Sequence, residues 1–242
     1  MSRRSRTRAS RPVVDALVVE DLHKDYGGVP ALAPLDLSVP EGQSVVLVGH
    51  NGSGKSTLLS MVAGTLEPSG GDVRIFGRSP DDLPARAARS WLPDTPVLYD
   101  DLSVREHLEY VDRMHGGDGA GPHIEDLIDR LGLRGREDDL PSQFSRGLRQ
   151  KAAIAVALCR PLRLLLVDEP FVGLDTAGRT AFLELLDEVR ADGATILVAT
   201  HDPAVIDRFE RGIMLADGEV VHDGAASELP ALLSPDDRQG GA

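Results

Sequence analysis

Two short stretches of the chain hold residue types suited to handling a polyphosphate. Gly49-His50-Asn51-Gly52-Ser53-Gly54-Lys55-Ser56 has the spacing G-x-x-x-x-G-K-[ST]. Glycine opens backbone conformations closed to other residues, so several amides can turn inward around an anion. A helix beginning behind the loop would add its positive end. Lys55 would supply a full charge to the β- and γ-phosphates, and the Ser56 hydroxyl would ligate Mg2+. Together, Gly49, Asn51, Gly52, Ser53, Gly54, Lys55, Ser56 and Thr57 form a candidate site for a nucleoside triphosphate. The second stretch, Leu164-Leu165-Leu166-Val167-Asp168-Glu169-Pro170, puts two carboxylates at the end of an apolar run. Asp168 would hold Mg2+, directly or through water. Glu169 would orient and polarise the attacking water. An acidic turn after a strand is common by itself, and only the glycine loop gives the pair its meaning.

These residues need elements to hold them. Ser44–Val48 is a β-branched, apolar run of the kind buried on both faces of a sheet, and Lys55–Ala63 reads as the helix behind the loop. Ala31–Val39 alternates apolar and polar residues as a half-exposed strand does, after a strand-like segment from Val18 to Tyr26. Asp72–Phe76 is a further strand. From about Leu98 to Cys159 the period changes to helical: Val104–Met114, Ile124–Leu131 and Arg146–Leu158, the first two separated by a glycine-rich break at residues 116–122. Strand and helix then alternate again, with strands at Leu164–Val167 and Thr195–Ala199 and a helix at Thr176–Arg190. A short helix is expected near Pro203, and a hairpin across Asp217-Gly218. An α/β core interrupted by a helical insertion is the simplest architecture.

Composition narrows the function. The 242 residues suffice for one large α/β domain. A net charge of -13 excludes a general nucleic-acid binder, which needs clustered Lys and Arg. Cys159 is the only cysteine, so no disulfide forms within the chain. No stretch approaches the roughly 20 apolar residues that cross a bilayer, so a membrane role is expected through a partner. Arg3, Arg4, Arg6, Arg8 and Arg11 mark residues 1–14 as a basic tail, either solvated and disordered or weakly drawn to anionic headgroups. Residues 234–242 read as a second flexible tail.

From about Asp15 to Glu228 the chain resembles ATP-binding cassette (ABC) ATPases. Phe144-Ser145-Arg146-Gly147-Leu148-Arg149-Gln150-Lys151 resembles the family's signature segment, Gly173-Leu174-Asp175 its D-loop, and His201 its switch histidine. Tyr26 resembles the aromatic that stacks on adenine, although a partly buried aromatic in a β lobe fits as well. The resemblance implies an α/β P-loop NTPase fold: a RecA-like core, an N-terminal antiparallel β lobe and an inserted α-helical subdomain. It would occupy 15–233, with the core at 15–93 and 160–233 and the insertion at about 94–159. It also implies ATP and Mg2+ as cofactors, and catalysis by Glu169, Lys55 and His201, the last on the γ-phosphate. Two ATP-binding subunits would pair head to tail, each ATP lying between one copy's Lys55 loop and the other's Ser145 and Gly147. Asp175 would couple the sites while capping its own helix. The residues themselves agree that Ser145 is a good N-cap, leaving a positive helix end as a second anion site.

The sequence departs from the family pattern in two places. Arg146 stands where the signature has its second glycine and Leu148 where it has glutamine. The form S-x-G-[LM]-[RK]-Q-[KR] resembles exporters whose ATPase and membrane-permease subunits are separate chains, so export is expected, from the cytoplasmic face of the cell membrane. Asp94 stands where much of the family has glutamine facing the metal and water; it is either a shorter metal-sensing oxygen donor or a turn residue before Thr95-Pro96. Residues 96–106 resemble the region that receives a helix of the membrane subunit, and packing within the helical lobe explains them equally. A soluble non-transport ABC ATPase, an importer subunit, a P-loop kinase and a non-catalytic nucleotide-binding module are the alternatives. If Asp94 senses the metal, Asp94→Ala lowers ATP hydrolysis at limiting Mg2+; unchanged phosphate release and transport would leave it as a turn residue.

Overall fold

The computed structural model describes residues 15–119 and 121–233, and the expected tails at 1–14 and 234–242 lie outside them. In chain order the strands are β1 (Asp15–Asp25), β2 (Pro30–Pro40), β3 (Ser44–Val48), β4 (Gly70–Ile75), β5 (Arg89–Leu92), β6 (Leu164–Asp168), β7 (Thr195–Ala199), β8 (Arg211–Ala216) and β9 (Glu219–Ala225). The helices are α1 (Lys55–Val62), α2 (Leu83–Ala88), α3 (Val104–Met114), α4 (Pro122–Arg130), α5 (Arg146–Leu158), α6 (Thr176–Ala191) and α7 (Leu229–Leu232). The segment after Pro203 is a 3-10 turn.

Two sheets organise the chain. β2, β1 and β4 form an antiparallel sheet in that order, and the second sheet runs β5-β6-β7-β3-β8-β9. Its strands from β5 to β8 are parallel, and only β9 turns back, across Asp217-Gly218. Every residue of β3, β6 and β7 is buried, as their unbroken apolar runs require.

Because successive strand side chains point to opposite faces, each central strand feeds two cores. Leu165, Val167, Ile196 and Val198 pack with the helical region of α3–α5 and with α6. Leu164, Leu166, Leu197 and Ala199 pack on the other face with Val45, Leu47, α1 and the antiparallel sheet. Three of the helices begin at side-chain caps: Ser103 and Glu106 form a capping box at α3, and Ser145 and Asp175 cap α5 and α6.

Three elements were not anticipated, α2, β5 and α7. β5 is four residues long and contains Arg89 and Ser90, too short and too polar to show a period. Tertiary bonds hold it: Ser90 Oγ donates to the Ala157 carbonyl (2.6 Å), and the buried Arg160 guanidinium donates to the carbonyls of Ala87 and Arg89. Its parallel pairing with β6 carries the chain toward Asp94.

Phe182 is 1% exposed and its ring centroid lies 5.7 Å from that of Phe171, which follows the Asp168-Glu169 pair. Phe182→Ala should therefore cost about 3–5 kcal/mol of stability, read from chemical unfolding.

Candidate active site

Four neighbouring strands deliver the site. β3 runs into the glycine loop and α1, β6 ends on Asp168, β7 leads to His201, and β5 leads to Asp94. Their parallel direction puts all four exits at one edge of the sheet, where ligands bind in open α/β folds. A cleft of about 440 Å3 there is lined by residues 51–57, Asp94, Glu169 and His201, together with Ala31 and Val172.

The glycine loop is clamped from behind. A Cβ on Gly49 would lie 2.1 Å from the Leu215 carbonyl oxygen, so β8 approaches too closely for any side chain, and φ there is 147°. The Gly218 amide donates to the Ser53 carbonyl (3.2 Å), and the Gly218 carbonyl accepts from the Ala33 amide (2.8 Å). The hairpin tip thus joins the loop to the antiparallel sheet. Buried Lys55 heads α1 and donates to the carbonyls of Gly49 (2.7 Å) and His50 (3.2 Å).

Glu169 sits between two partners. Its Oε1 lies 3.9 Å from Lys55 Nζ, and its Oε2 lies 2.8 Å from His201 Nδ1. Since the carboxylate accepts, Nδ1 carries the proton in this arrangement. The Glu169 backbone is left-handed, at φ 44°, which costs a non-glycine residue on the order of 1–3 kcal/mol. Its amide donates to the Ala199 carbonyl at the end of β7 (2.9 Å), which holds the turn.

Asp168 is 3% exposed, and burial pushes its carboxyl from the ordinary 3.8 up to about 6. The Ser56 hydroxyl bonds to it and opposes that rise, while the charges of Glu169 and Asp94 add to it. One oxygen, Oδ1, is buried without a hydrogen-bond partner, as is Ser53 Oγ. An orphaned carboxylate oxygen beside a serine hydroxyl suits a hard divalent cation that takes few protein oxygens and completes its shell with phosphate and water.

Of the other predicted residues, Asp94 is exposed and lines the cleft. Tyr26 is not among the lining residues; it is 55% exposed beneath the Lys24 ammonium (5.1 Å to the ring centroid), and Ala31 lines the cleft instead. Ser145, Gly147 and Asp175 also lie outside the cleft lining. Ser145 is exposed at the head of α5, where its Oγ accepts from the Leu148 amide (3.3 Å). Asp175 accepts from the Gly178 amide (2.8 Å) and from Lys151 (2.9 Å), and Lys151 holds its carboxyl below the usual range. Sequence reasoning missed Ala31, Val172 and Gly218, and it placed Lys151 in the signature segment without its partner Asp175. Only the Asp217-Gly218 turn left a local signal, and that signal marks a hairpin, not a wall of the site.

Residues 32–172 match the family model described as ABC transporter. The chain is 34% identical over 218 residues to the ABC-type transporter ATP-binding protein EcsA of Bacillus subtilis, covering 88% of each. It is 34% identical to the ABC transporter ATP-binding protein NatA of the same organism, covering 83% of this chain and 84% of NatA. It is also 34% identical to the macrolide export ATP-binding/permease protein MacB of Rhodopseudomonas palustris, but spans only 36% of that protein. Among solved structures, an ATP-binding subunit of an ABC transporter superposes with a TM-score of 0.80 at 33% identity, over 90% of this chain and 92% of the other. A dimeric ATP-binding cassette, MJ0796, in a post-hydrolysis state with ADP and Pi, gives 0.79 at 27% identity, over 87% and 98%.

The raised Asp168 carboxyl sets a sign for stability. A proton bound more tightly in the folded state stabilises it fully below pH 3.8, and that contribution is lost as pH rises through about 6. Asp168→Asn should therefore stabilise the nucleotide-free protein by on the order of 3 kcal/mol at pH 7.5 and by roughly a third of that at pH 4.5. Urea unfolding at the two pH values measures it.

Proposed function

The chain belongs to the ABC transporter family as an ATP-hydrolysing subunit, and from that premise we propose that it powers export through separate membrane-spanning partner subunits. The observation that carries the reading is the convergence of Lys55, Asp168, Glu169 and His201 at the ends of three adjacent parallel strands. Such a set suits in-line attack of water on a γ-phosphate, with the bond to the β-phosphate oxygen breaking. Lys55 and the amides of the glycine loop bind and orient the phosphates. Glu169 holds the water and takes its proton as the new bond forms. His201, held by Glu169, contacts the γ-phosphate. Ser56 and Asp168, with Asp94, would hold Mg2+, which supplies positive charge to the β- and γ-phosphate oxygens.

Separate membrane partners are supported by the relatives that the chain matches over most of their length. Among the described residues no helix is long and apolar enough to cross a membrane. EcsA and NatA, named as ATP-binding proteins, are matched over most of their lengths, unlike the fused MacB. Val97 and Tyr99 are 86% and 58% exposed, and Tyr99 sets its ring edge-on to exposed Tyr110 (6.1 Å). Leu98 and Val104 turn inward to the helical core. This segment thus divides between lobe packing and an apolar surface suited to a helix from the membrane subunit. Export rests on the signature form and on the export proteins among the relatives.

Ser145 and Gly147 lie outside the cleft, which supports a head-to-tail homodimer at the cytoplasmic face of the membrane. ATP would close it because it binds both copies in the closed state. Hydrolysis would release it.

Glu169→Gln should bind ATP, accumulate as a dimer in size-exclusion chromatography and hydrolyse roughly 100-fold or more slowly. Normal turnover would remove Glu169 from its role, and an ATP-loaded monomer in the presence of the membrane partner would remove the two-sided grip.

A further inference from the structure

In a head-to-tail dimer each copy serves two nucleotides: its cleft holds one and its α5 end faces the other. This inference rests on that reading and asks how one end of a copy informs the other. Two side chains outside the reacting groups bear on it.

The first is Lys151, one and a half turns into α5 and buried. Its ammonium bonds to both carboxylate oxygens of Asp175, each at 2.9 Å. Its stem crosses the first turn of α6 so closely that a Cβ on Gly178 would lie 2.5 Å from Lys151 Cε. Next to it, Gln150 Nε2 donates to the Pro170 carbonyl (3.1 Å). A Cβ on Gly147 would meet the Gly173 carbonyl oxygen at 2.5 Å. The head of α5 is therefore seated on the segment that runs from Glu169 to Asp175.

The second is Arg179, one turn further along α6. It forms an ion pair with Asp202, and its guanidinium lies over the Phe171 ring (4.8 Å to the centroid). Asp202 adjoins His201 and is itself held: its other carboxylate oxygen accepts from the Ala204 amide (2.9 Å), and its amide donates to Thr200 Oγ1 (3.1 Å). His201 in turn bonds to Glu169.

We propose that the first two turns of α6 are a strut joining the partner-facing head of α5 to the His201–Glu169 pair, with Lys151 and Arg179 as its two positioning residues. A helix turn is stiff, so displacing Asp175 also displaces Arg179. Docking of the partner's nucleotide on the head of α5 would thereby set the position of His201 in the cleft of the same copy. Exposed ion pairs contribute little energy. The effect claimed for these two is geometric, since Lys151 is buried and each stem is confined by a glycine or an aromatic ring.

Lys151→Met, Arg179→Met and their combination test the strut in the full chain. Each single variant should lower kcat about tenfold with KM for ATP shifted less than about twofold. Residues acting through one strut are non-additive, so the double variant should also lose about tenfold, not about a hundredfold. Multiplying losses, or full activity in either single variant, would overturn the proposal. Amide hydrogen exchange gives a reading that needs no hydrolysis: Lys151→Met should accelerate exchange at the amides of Thr200, His201 and Asp202, across the strut from the substitution. Unchanged protection there overturns the strut even if turnover falls. If Lys151→Met does not fold, Lys151→Gln replaces it. Should the unaltered chain fail to hydrolyse ATP, the functional reading falls, and the exchange measurement alone decides the strut.

Discussion

The parallel register of β6, β7 and β3 is the constraint on which the site depends. Val167 pairs with Val198, Asp168 with Ala199, and Leu47 with Ala199. Three chains therefore leave the sheet at the same level and on the same edge. No single loop holds the chemistry: cation, carboxylates and imidazole come from three exits about one strand spacing apart. Slipping one strand by a residue would move its exit and also reverse its two buried faces. The two apolar cores thus enforce the register that aligns the site.

The site stores unfavourable terms that the cores offset. Asp168 is buried with an oxygen unpartnered, Glu169 holds a left-handed backbone, and Lys55 is buried against carbonyls. Local rules are broken at these functional positions, as is usual in natural proteins. A polyphosphate accompanied by a divalent cation has the charges that relieve both the lysine and the aspartate.

The helical region makes the opposite contribution. Its residues build a separate apolar core under α3, α4 and α5, and Ser145 and Gly147 at the head of α5 do not line the cleft. On the proposed head-to-tail reading, one copy would meet two nucleotides, one in its cleft and one at the head of α5. The likeness to a dimeric cassette accords with that division.

Much of this was legible in the residues. The glycine loop, the buried strands Ser44–Val48 and Thr195–Ala199, and the helices Val104–Met114 and Arg146–Leu158 declare themselves through spacing, apolar runs and caps. These signals are local, and a local pattern determines which residues form an element and which face is apolar. It does not determine which elements meet. β5 exists because Arg160 and Ser90 bond across the fold, Ala31 displaces Tyr26 from the cleft wall because of where the antiparallel sheet sits, and Lys151 finds Asp175 24 positions away. The sequence by itself determined the chemistry at each strand end and the elements that carry it. The tertiary structure alone decided the contacts among those ends, because partners distant along the chain are chosen by packing and register rather than by periodicity.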